Sequence, residues 1–210
     1  MKPKEQYNND ERLALIQKYR EKGEGSCGSA RALKLYRRGI KFGVKSAEYD
    51  TMNYAYYYDY QEHCESYEQK GLKYFEKAAD CFRRSAELGN DLAMMNYAVY
   101  LFDFKKDYKE ALRWFVAASE VGLAVADYEL AVFYKKGYCG VKINEEKANI
   151  FFEKYKQKCE ADERQLMLAW NIDDDWNVIN RFELFRWICG HSTKVIYDTP
   201  SAKPSRWRYE

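Results

Sequence analysis

The sequence predicts an all-α fold in which antiparallel helix pairs stack along the chain. Two observations lead to this prediction. The 210 residues contain only 3 prolines and 11 glycines beside 47% hydrophobic residues, a composition typical of packed helices. A pattern of alanine, aromatic and glycine positions also recurs along the chain with helical spacing. Because a lone helical hairpin cannot bury its apolar face, about four such pairs are expected to stack on one another.

The first helix of each predicted pair carries an alanine and, one helical turn later, an aromatic residue. Three of the four copies also place a small residue, Gly39, Ser85 or Ala118, seven positions after the alanine. A small residue there lets a neighbouring helix approach closely, whereas the fourth copy has Tyr155. The four alanine–aromatic pairs are Ala32 and Tyr36, Ala78 and Phe82, Ala111 and Phe115, and Ala148 and Phe152.

The first three copies place a glycine eleven residues after the alanine, at Gly43, Gly89 and Gly122. Glycine adopts a positive φ without steric cost, so each first helix is expected to end there. Another alanine follows four residues after each glycine, and the second helix of the pair is expected to begin at that point. The first copy is longer, and the polar stretch 59–71 is interpreted as a loop that absorbs the extra residues.

One segment of the chain carries a pattern that identifies a family resemblance. Residues 130–141 have the sequence L-A-V-F-Y-K-K-G-Y-C-G-V, which contains a G-x-x-G-V turn, and Ala148 follows after Glu146 and Lys147. This segment resembles the Sel1-like repeat, a family related to the tetratricopeptide class. The spacing of alanine, aromatic residue, alanine and glycine in the preceding copy supports the resemblance, at Ala111, Phe115, Ala118 and Gly122.

The resemblance is closest over residues 72–155 and is absent from residues 160–210. It implies a right-handed solenoid of stacked helix pairs, since the related families form superhelices of this kind. Members of the family usually act as adaptors in protein assemblies. The resemblance therefore implies a protein–protein interaction module.

The chain is divided into a repeat solenoid over residues 1–159, C-terminal capping helices over 160–190 and an extended tail over 191–210. A solenoid needs its last unit covered, and the apolar stripe of Phe182, Phe185 and Ile188 suits a capping helix. The three aspartates at 173–175 are interpreted as the N-terminal cap of that helix. Metal binding by them is disfavoured because successive residues point in different directions.

Charge and composition restrict the partners that the sequence predicts. The formal net charge is +2, from 35 basic and 33 acidic residues, which gives no reason to expect nucleic acid. The N-terminus has no apolar signal region, and no stretch approaches the roughly 20 apolar residues that cross a bilayer. We therefore expect a cytoplasmic protein with no membrane partner. Its six cysteines follow no repeat and are expected to be reduced.

The sequence offers little support for catalysis or metal binding. Its two histidines, His63 and His191, lie near Cys64 and Cys189, but adjacent residues are poorly spaced for a zinc site. A nucleophilic Cys189 would need an oxyanion site and an orienting group, and neither is evident near it. No phosphate-binding loop, nucleophile elbow or metalloprotease motif occurs. The prediction is a protein that is not an enzyme and uses no metal or cofactor.

The expected function is that of an adaptor that binds an apolar or aromatic segment of a partner protein. Two alternatives stay open: an inhibitor or immunity-type protein that neutralises one partner, and a cysteine-dependent hydrolase on a repeat scaffold. The aromatic content of 17%, with 20 tyrosines, is compatible with exposed contact residues or with rings that fill gaps between repeats.

A partner-binding groove is predicted by analogy with tetratricopeptide relatives, in which the first helix of each pair lines the concave surface. Positions six, ten and thirteen after each glycine would then line one groove. Seven of these nine residues are aromatic or aliphatic, which favours an apolar partner segment. The nine residues are Tyr49, Asn53, Tyr56, Met95, Val99, Phe102, Tyr128, Val132 and Lys135.

Overall fold

The structure is a computed structural model that describes residues 28–60 and 64–162, together with positions 8, 11, 14 and 165. This part of the chain is helical and contains no β-strand, so the prediction of an all-α fold is confirmed. The predicted capping helices and tail lie almost entirely outside the described residues. The helices are α1 (Ala30–Tyr60), α2 (Glu65–Ala86), α3 (Asp91–Val99), a π-helix (Tyr100–Lys105), α4 (Tyr108–Glu120), α5 (Ala124–Lys136), a 3-10 helix (Tyr138–Gly140) and α6 (Glu145–Ala161).

Two of the three predicted glycine stops lie where helices end. Gly89, between α2 and α3, has a φ of +86°, and Gly122, between α4 and α5, has a φ of +100°. Asn90 follows the first of them and caps α3, because its side chain accepts a hydrogen bond from the Ala93 amide at 2.7 Å. These positions confirm that the turns after α2 and α4 require glycine.

The prediction that a helix ends at Gly43 is wrong, because α1 continues through this residue to Tyr60. Gly43 is buried and lies one turn after Gly39. A Cβ atom on Gly39 would lie 2.8 Å from Cε1 of Phe82, so this face of α1 is in tight contact with α2. Gly39 therefore serves close helix packing, Gly43 is a buried residue inside the same helix, and no second helix begins at Ala47.

Two hydrogen bonds join α1 and α2 where the helices lie close together. The Ser46 hydroxyl donates to the Gly71 carbonyl oxygen at 2.7 Å, and the Ser85 hydroxyl donates to the Ala32 carbonyl oxygen at the same distance. Gly71 belongs to α2, which begins at Glu65, so the predicted loop over residues 59–71 is much shorter than expected. Short side chains reach the backbone of the other helix only because the two helices lie close together.

The core is formed around α3 and α5. Every residue from Ala124 to Phe133 in α5 is buried, as are the first six residues of α3. A helix that is buried on all sides needs neighbours on all sides, and α3 packs against α2 and α4 while α5 packs against α4 and α6. At the centre, Phe115 of α4 makes an edge contact with Phe133, with ring centroids 5.0 Å apart.

A buried carboxylate joins the last three helices. Asp127 of α5 is completely buried and accepts a hydrogen bond from the Ser119 hydroxyl of α4 at 2.6 Å. Lys158 of α6 forms a salt bridge with the other oxygen of Asp127 and also donates to the Ser119 carbonyl oxygen at 2.9 Å. The charge of Asp127 is thus compensated within the protein, as burial requires.

Candidate protein-binding surface

The structure does not place the nine predicted groove residues on one open surface. Met95, Tyr128 and Val132 are 0%, 1% and 6% exposed and belong to the hydrophobic core. The expectation that they face a partner is therefore wrong. The physical reason is that α3 and α5 are apolar around most of their circumference, so flanking helices cover the face that a groove would leave open.

The other six predicted residues are divided among several environments. Lys135 is exposed, and Val99 is partly buried against the core. Tyr49 of α1 stacks on Tyr74 of α2, with ring centroids 5.7 Å apart. Phe102 stacks instead on Phe133 of α5 at 5.2 Å. The side chains of Asn53 and Tyr56 lie outside the described residues.

A different group of side chains, around the π-helix, forms a partly exposed aromatic surface. We call it the five-ring cluster. Tyr100 and Phe104 of the π-helix stack at 5.6 Å, and Phe75 of α2 contacts them at 5.4 and 5.1 Å. Tyr97 of α3 stacks on Tyr100 at 6.1 Å, and Trp114 of α4 meets the Tyr97 ring edge-on at 5.7 Å. All five rings are partly exposed.

The π-helix places two of these rings. It continues α3 without a break and ends where Lys106 adopts a φ of +57°, the only positive φ of a non-glycine residue among those described. The Lys106 amide donates to the Leu101 carbonyl oxygen and closes the last wide turn, and the Asp107 amide donates to the same oxygen at 3.0 Å. π-helical turns are rare in proteins, and many of those that occur lie at functional sites. The helical spacing of the sequence gives no signal for this widening, so sequence reasoning missed the cluster.

A lysine covers one edge of the five-ring cluster. The Lys105 ammonium lies 5.7 Å from the Tyr100 ring centroid and 5.4 Å from that of Phe104. It also approaches the Glu76 carboxylate at 3.5 Å in an exposed ion pair. The proximity of Tyr100 and, to a smaller extent, the charge of Glu76 raise the pKa of Lys105. Burial raises the pKa of Tyr97, so its hydroxyl is a neutral hydrogen-bonding group at neutral pH.

The structure describes only part of the chemistry that the sequence raised. Cys64, Cys81 and Cys159 are free thiols, and burial is the main cause that raises the pKa of Cys81. Among the described residues, no three histidine, cysteine, aspartate or glutamate side chains come together as a metal site. The zinc and nucleophile hypotheses also involve His63, Cys189 and His191, which lie outside the described residues. The aspartates at 173–175 lie outside them as well.

Comparisons with known proteins give no assignment. No family model matches the chain, and neither a curated protein nor a solved structure is significantly similar to it. In the described part of the chain, no helix has both the length and the apolar character needed to span a bilayer.

Proposed function

We propose that this chain is a protein-interaction module whose five-ring cluster contacts a partner protein. The observation that carries the proposal is the continuity of five partly exposed rings across α2, α3, the π-helix and α4. Aromatic side chains offer a large contact area with few rotamers, and they dominate the binding energy of many interfaces.

The number of aromatic residues outside the core supports the proposed interaction surface. The core already contains its own large aromatic residues, namely Tyr36, Phe82, Phe115, Tyr128 and Phe133, each at most 1% exposed. The cluster lies outside that set: Tyr97, Tyr100 and Trp114 pack against the core from its edge and remain partly exposed. Contiguous aromatic surface costs solubility when it remains open to water, so a partner that covers it is the simplest physical account.

The proposed scaffold is a right-handed solenoid of antiparallel helix pairs like that of the Sel1-like repeat. Two facts support it. The hydrogen bonds between α1 and α2 join Ala32 with Ser85 and Ser46 with Gly71, so residue numbers rise along one helix as they fall along the other. The helices also pack chiefly against their neighbours in the chain, as stacked pairs do.

The test removes two rings of the cluster and compares the captured proteins. For the double variant Tyr100→Ser and Phe104→Ser, we expect the amount of partner recovered from the native cell to fall at least about tenfold. Central aromatic residues each contribute about 2 kcal/mol or more to the binding free energy of an interface. The matched control is Tyr134→Ser with Phe151→Ser, a partly exposed stacked pair with centroids 5.7 Å apart on α5 and α6. Quantitative mass spectrometry of both captures gives the comparison.

Helical circular dichroism and melting temperature establish that both double variants are folded. Equal partner recovery with the cluster variant and the control variant contradicts the proposed surface. The stoichiometry of the captured complex separates the two uses of a binding module: one dominant equimolar partner indicates an inhibitor or immunity-type protein, and several partners indicate an adaptor.

A further inference from the structure

A second surface, formed by α1 and α2, combines rings with basic side chains. We call it the basic face and define it by residues spaced three or four apart in each helix, so that each helix contributes one stripe. Phe42 and Tyr49 both pack against Tyr74, with ring centroids 6.1 and 5.7 Å apart. The stripe of α1 is Arg38, Phe42, Lys45 and Tyr49, and the stripe of α2 is Lys70, Tyr74 and Lys77.

Each ring of the basic face has a cation close to it. Lys77 lies 5.7 Å from the Phe42 centroid and 5.2 Å from that of Tyr74, and Lys45 approaches Tyr74 to 5.4 Å. These distances are typical of cation–π contacts, in which the aliphatic stem packs on the protein and the charged end stays in water. The other two contacts are Arg38 with Phe42 at 5.5 Å and Lys70 with Tyr49 at 5.8 Å.

The four cations of the basic face lie more than 4 Å from every carboxylate in the part of the chain that the structure describes. None of them forms a salt bridge, whereas Arg83, Arg84 and Lys105 do so on other surfaces. All four cations are exposed, so their charged groups remain accessible to an acidic ligand.

The charge of α1 extends this pattern. Residues 30–47 contain no acidic residue, and all their basic side chains are exposed. Arg31 lies in the first turn of α1, where positive charge opposes the helix dipole, and no acidic residue occurs in that turn to offset it. The segment therefore presents a continuous run of basic side chains to solvent. The further basic residues of this segment are Arg31, Lys34, Arg37 and Lys41.

We propose that the basic face binds an acidic segment of a partner protein. Carboxylates would accept hydrogen bonds from the lysine ammonium groups, and Arg38 can bind one carboxylate through two parallel bonds. The face measures about 16 Å along α1 at 1.5 Å per residue, the length of roughly five extended residues. This inference shares with the proposed function only the assumption of a protein partner, because it concerns different side chains.

Two observations favour a protein segment over single-stranded nucleic acid. Non-specific nucleic-acid sites present open ring faces on which bases stack, and here a cation lies over each ring. The formal net charge of the whole chain is only +2, so the attraction is local and suits a short acidic segment better than a polyanion.

The experiment measures binding of a fluorescent peptide of about ten residues, alternating glutamate and tyrosine, by anisotropy with the full chain. The test variant is Lys45→Glu with Lys77→Glu. The matched control is Lys109→Glu with Lys142→Glu, which makes the same charge change at two exposed lysines elsewhere. We expect the test variant to bind the peptide at least about tenfold more weakly than the control variant, because two attractive contacts become repulsive.

Four outcomes overturn the proposal: equal weakening in the control variant, equal binding of a peptide with glutamine in place of glutamate, tighter binding of a thymidine oligonucleotide, or self-association through this face in sedimentation. If the charge-reversed variant unfolds by circular dichroism, Lys45→Gln with Lys77→Gln replaces it, and unchanged binding in that variant also overturns the proposal. The Tyr100→Ser, Phe104→Ser variant must still bind the peptide, so failure of the basic face and failure of the five-ring cluster are distinguishable.

Discussion

Glycine has two different roles in this chain. Gly122 has a φ of +100°, and a Cβ atom there would meet nothing within 4 Å, so its requirement is conformational. Gly39 lies inside α1, and its requirement is space, because the ring of Phe82 and the Cβ atom of Cys81 lie 2.8 to 3.2 Å from the position of a Cβ atom. Substitution by alanine therefore tests a different physical effect at each glycine.

Gly39→Ala should destabilise the fold although alanine is the better helix former. The gain in helix propensity is about 1 kcal/mol, but overpacking against a buried ring costs about 1–3 kcal/mol. Urea unfolding should show a net loss in the free energy of unfolding. In a double-mutant cycle, Phe82→Leu should remove part of this loss because it removes the clashing ring atoms.

Gly122→Ala supplies the comparison for that experiment. It should cost about 1 kcal/mol through backbone strain alone, and Phe82→Leu should leave this cost unchanged. A Gly39→Ala protein that is as stable as the unmodified chain, or a cycle without coupling between residues 39 and 82, contradicts the packing role.

At the scale of whole helices, the sequence predicted helix ends that depend on the backbone of a single residue. It missed features that depend on packing between helices. The stops at Gly89 and Gly122 follow from the backbone freedom of one residue, and both were predicted. The continuity of α1 through Gly43 depends on the contact with α2, which the repeat pattern does not contain. The turn over residues 137–141, expected between two helices, contains positive φ at both glycines and connects α5 with α6.

The binding surface shows the same limit. The burial of Met95 and Tyr128 depends on helices that pack on both sides of α3 and α5, and a count of positions from a glycine cannot show this. Their surroundings held a partial signal, since eight of the ten residues from Ala124 to Phe133 are apolar or aromatic, although the buried Asp127 and Glu129 interrupt the pattern. The π-helix that brings Tyr100 and Phe104 together has no comparable signal, because the aromatic spacing there is compatible with an ordinary α-helix.

The salt bridge between Asp127 of α5 and Lys158 of α6 should contribute unequally to stability when each partner is substituted. Lys158→Met leaves the fully buried Asp127 carboxylate without its cation, at an expected cost on the order of 2 kcal/mol after allowance for the 27% exposure of Lys158. Asp127→Asn keeps the hydrogen bond from Ser119 and leaves a lysine that reaches water, so about 1 kcal/mol is expected. Chemical denaturation of both variants measures the difference.

Lys156→Met is the control for that comparison. Lys156 forms an exposed pair with Glu153 and lies 4.6 Å from the Phe152 ring centroid, and neither contact involves a buried charge, so its loss should change stability little. If Asp127→Asn proves as costly as Lys158→Met, or more so, the burial of an uncompensated charge does not govern this contact.

In the molecule as a whole, α2 connects the two candidate surfaces. Tyr74 belongs to the basic face and Phe75 belongs to the five-ring cluster, so successive residues of one helix contribute to different surfaces. One partner that contacts both surfaces would bind with a higher overall affinity than either contact gives alone, because the second contact forms within an existing complex. The two sets of variants described above test each contact separately.

Packing between neighbours in the chain predicts that stability is local. Gly39→Val should speed hydrogen exchange of amides in α1 and α2, with little change in α5 and α6, since the contacts between these two parts of the chain are few. Lys158→Met should give the reverse pattern. Exchange followed by mass spectrometry checks both variants, and uniform acceleration along the chain would show that the helices unfold as one cooperative unit.

The same chain of neighbouring contacts has a consequence for how such a protein can change in length. Each helix depends mainly on the helix before it and the helix after it. Duplication or loss of one pair would therefore disturb a single boundary and leave the remaining interior intact. The long helix α1, which has no turn at Gly43, departs from the pattern of the later copies and still packs against α2. In the solenoid proposed above, the chain would therefore be able to grow by addition of helix pairs at a boundary.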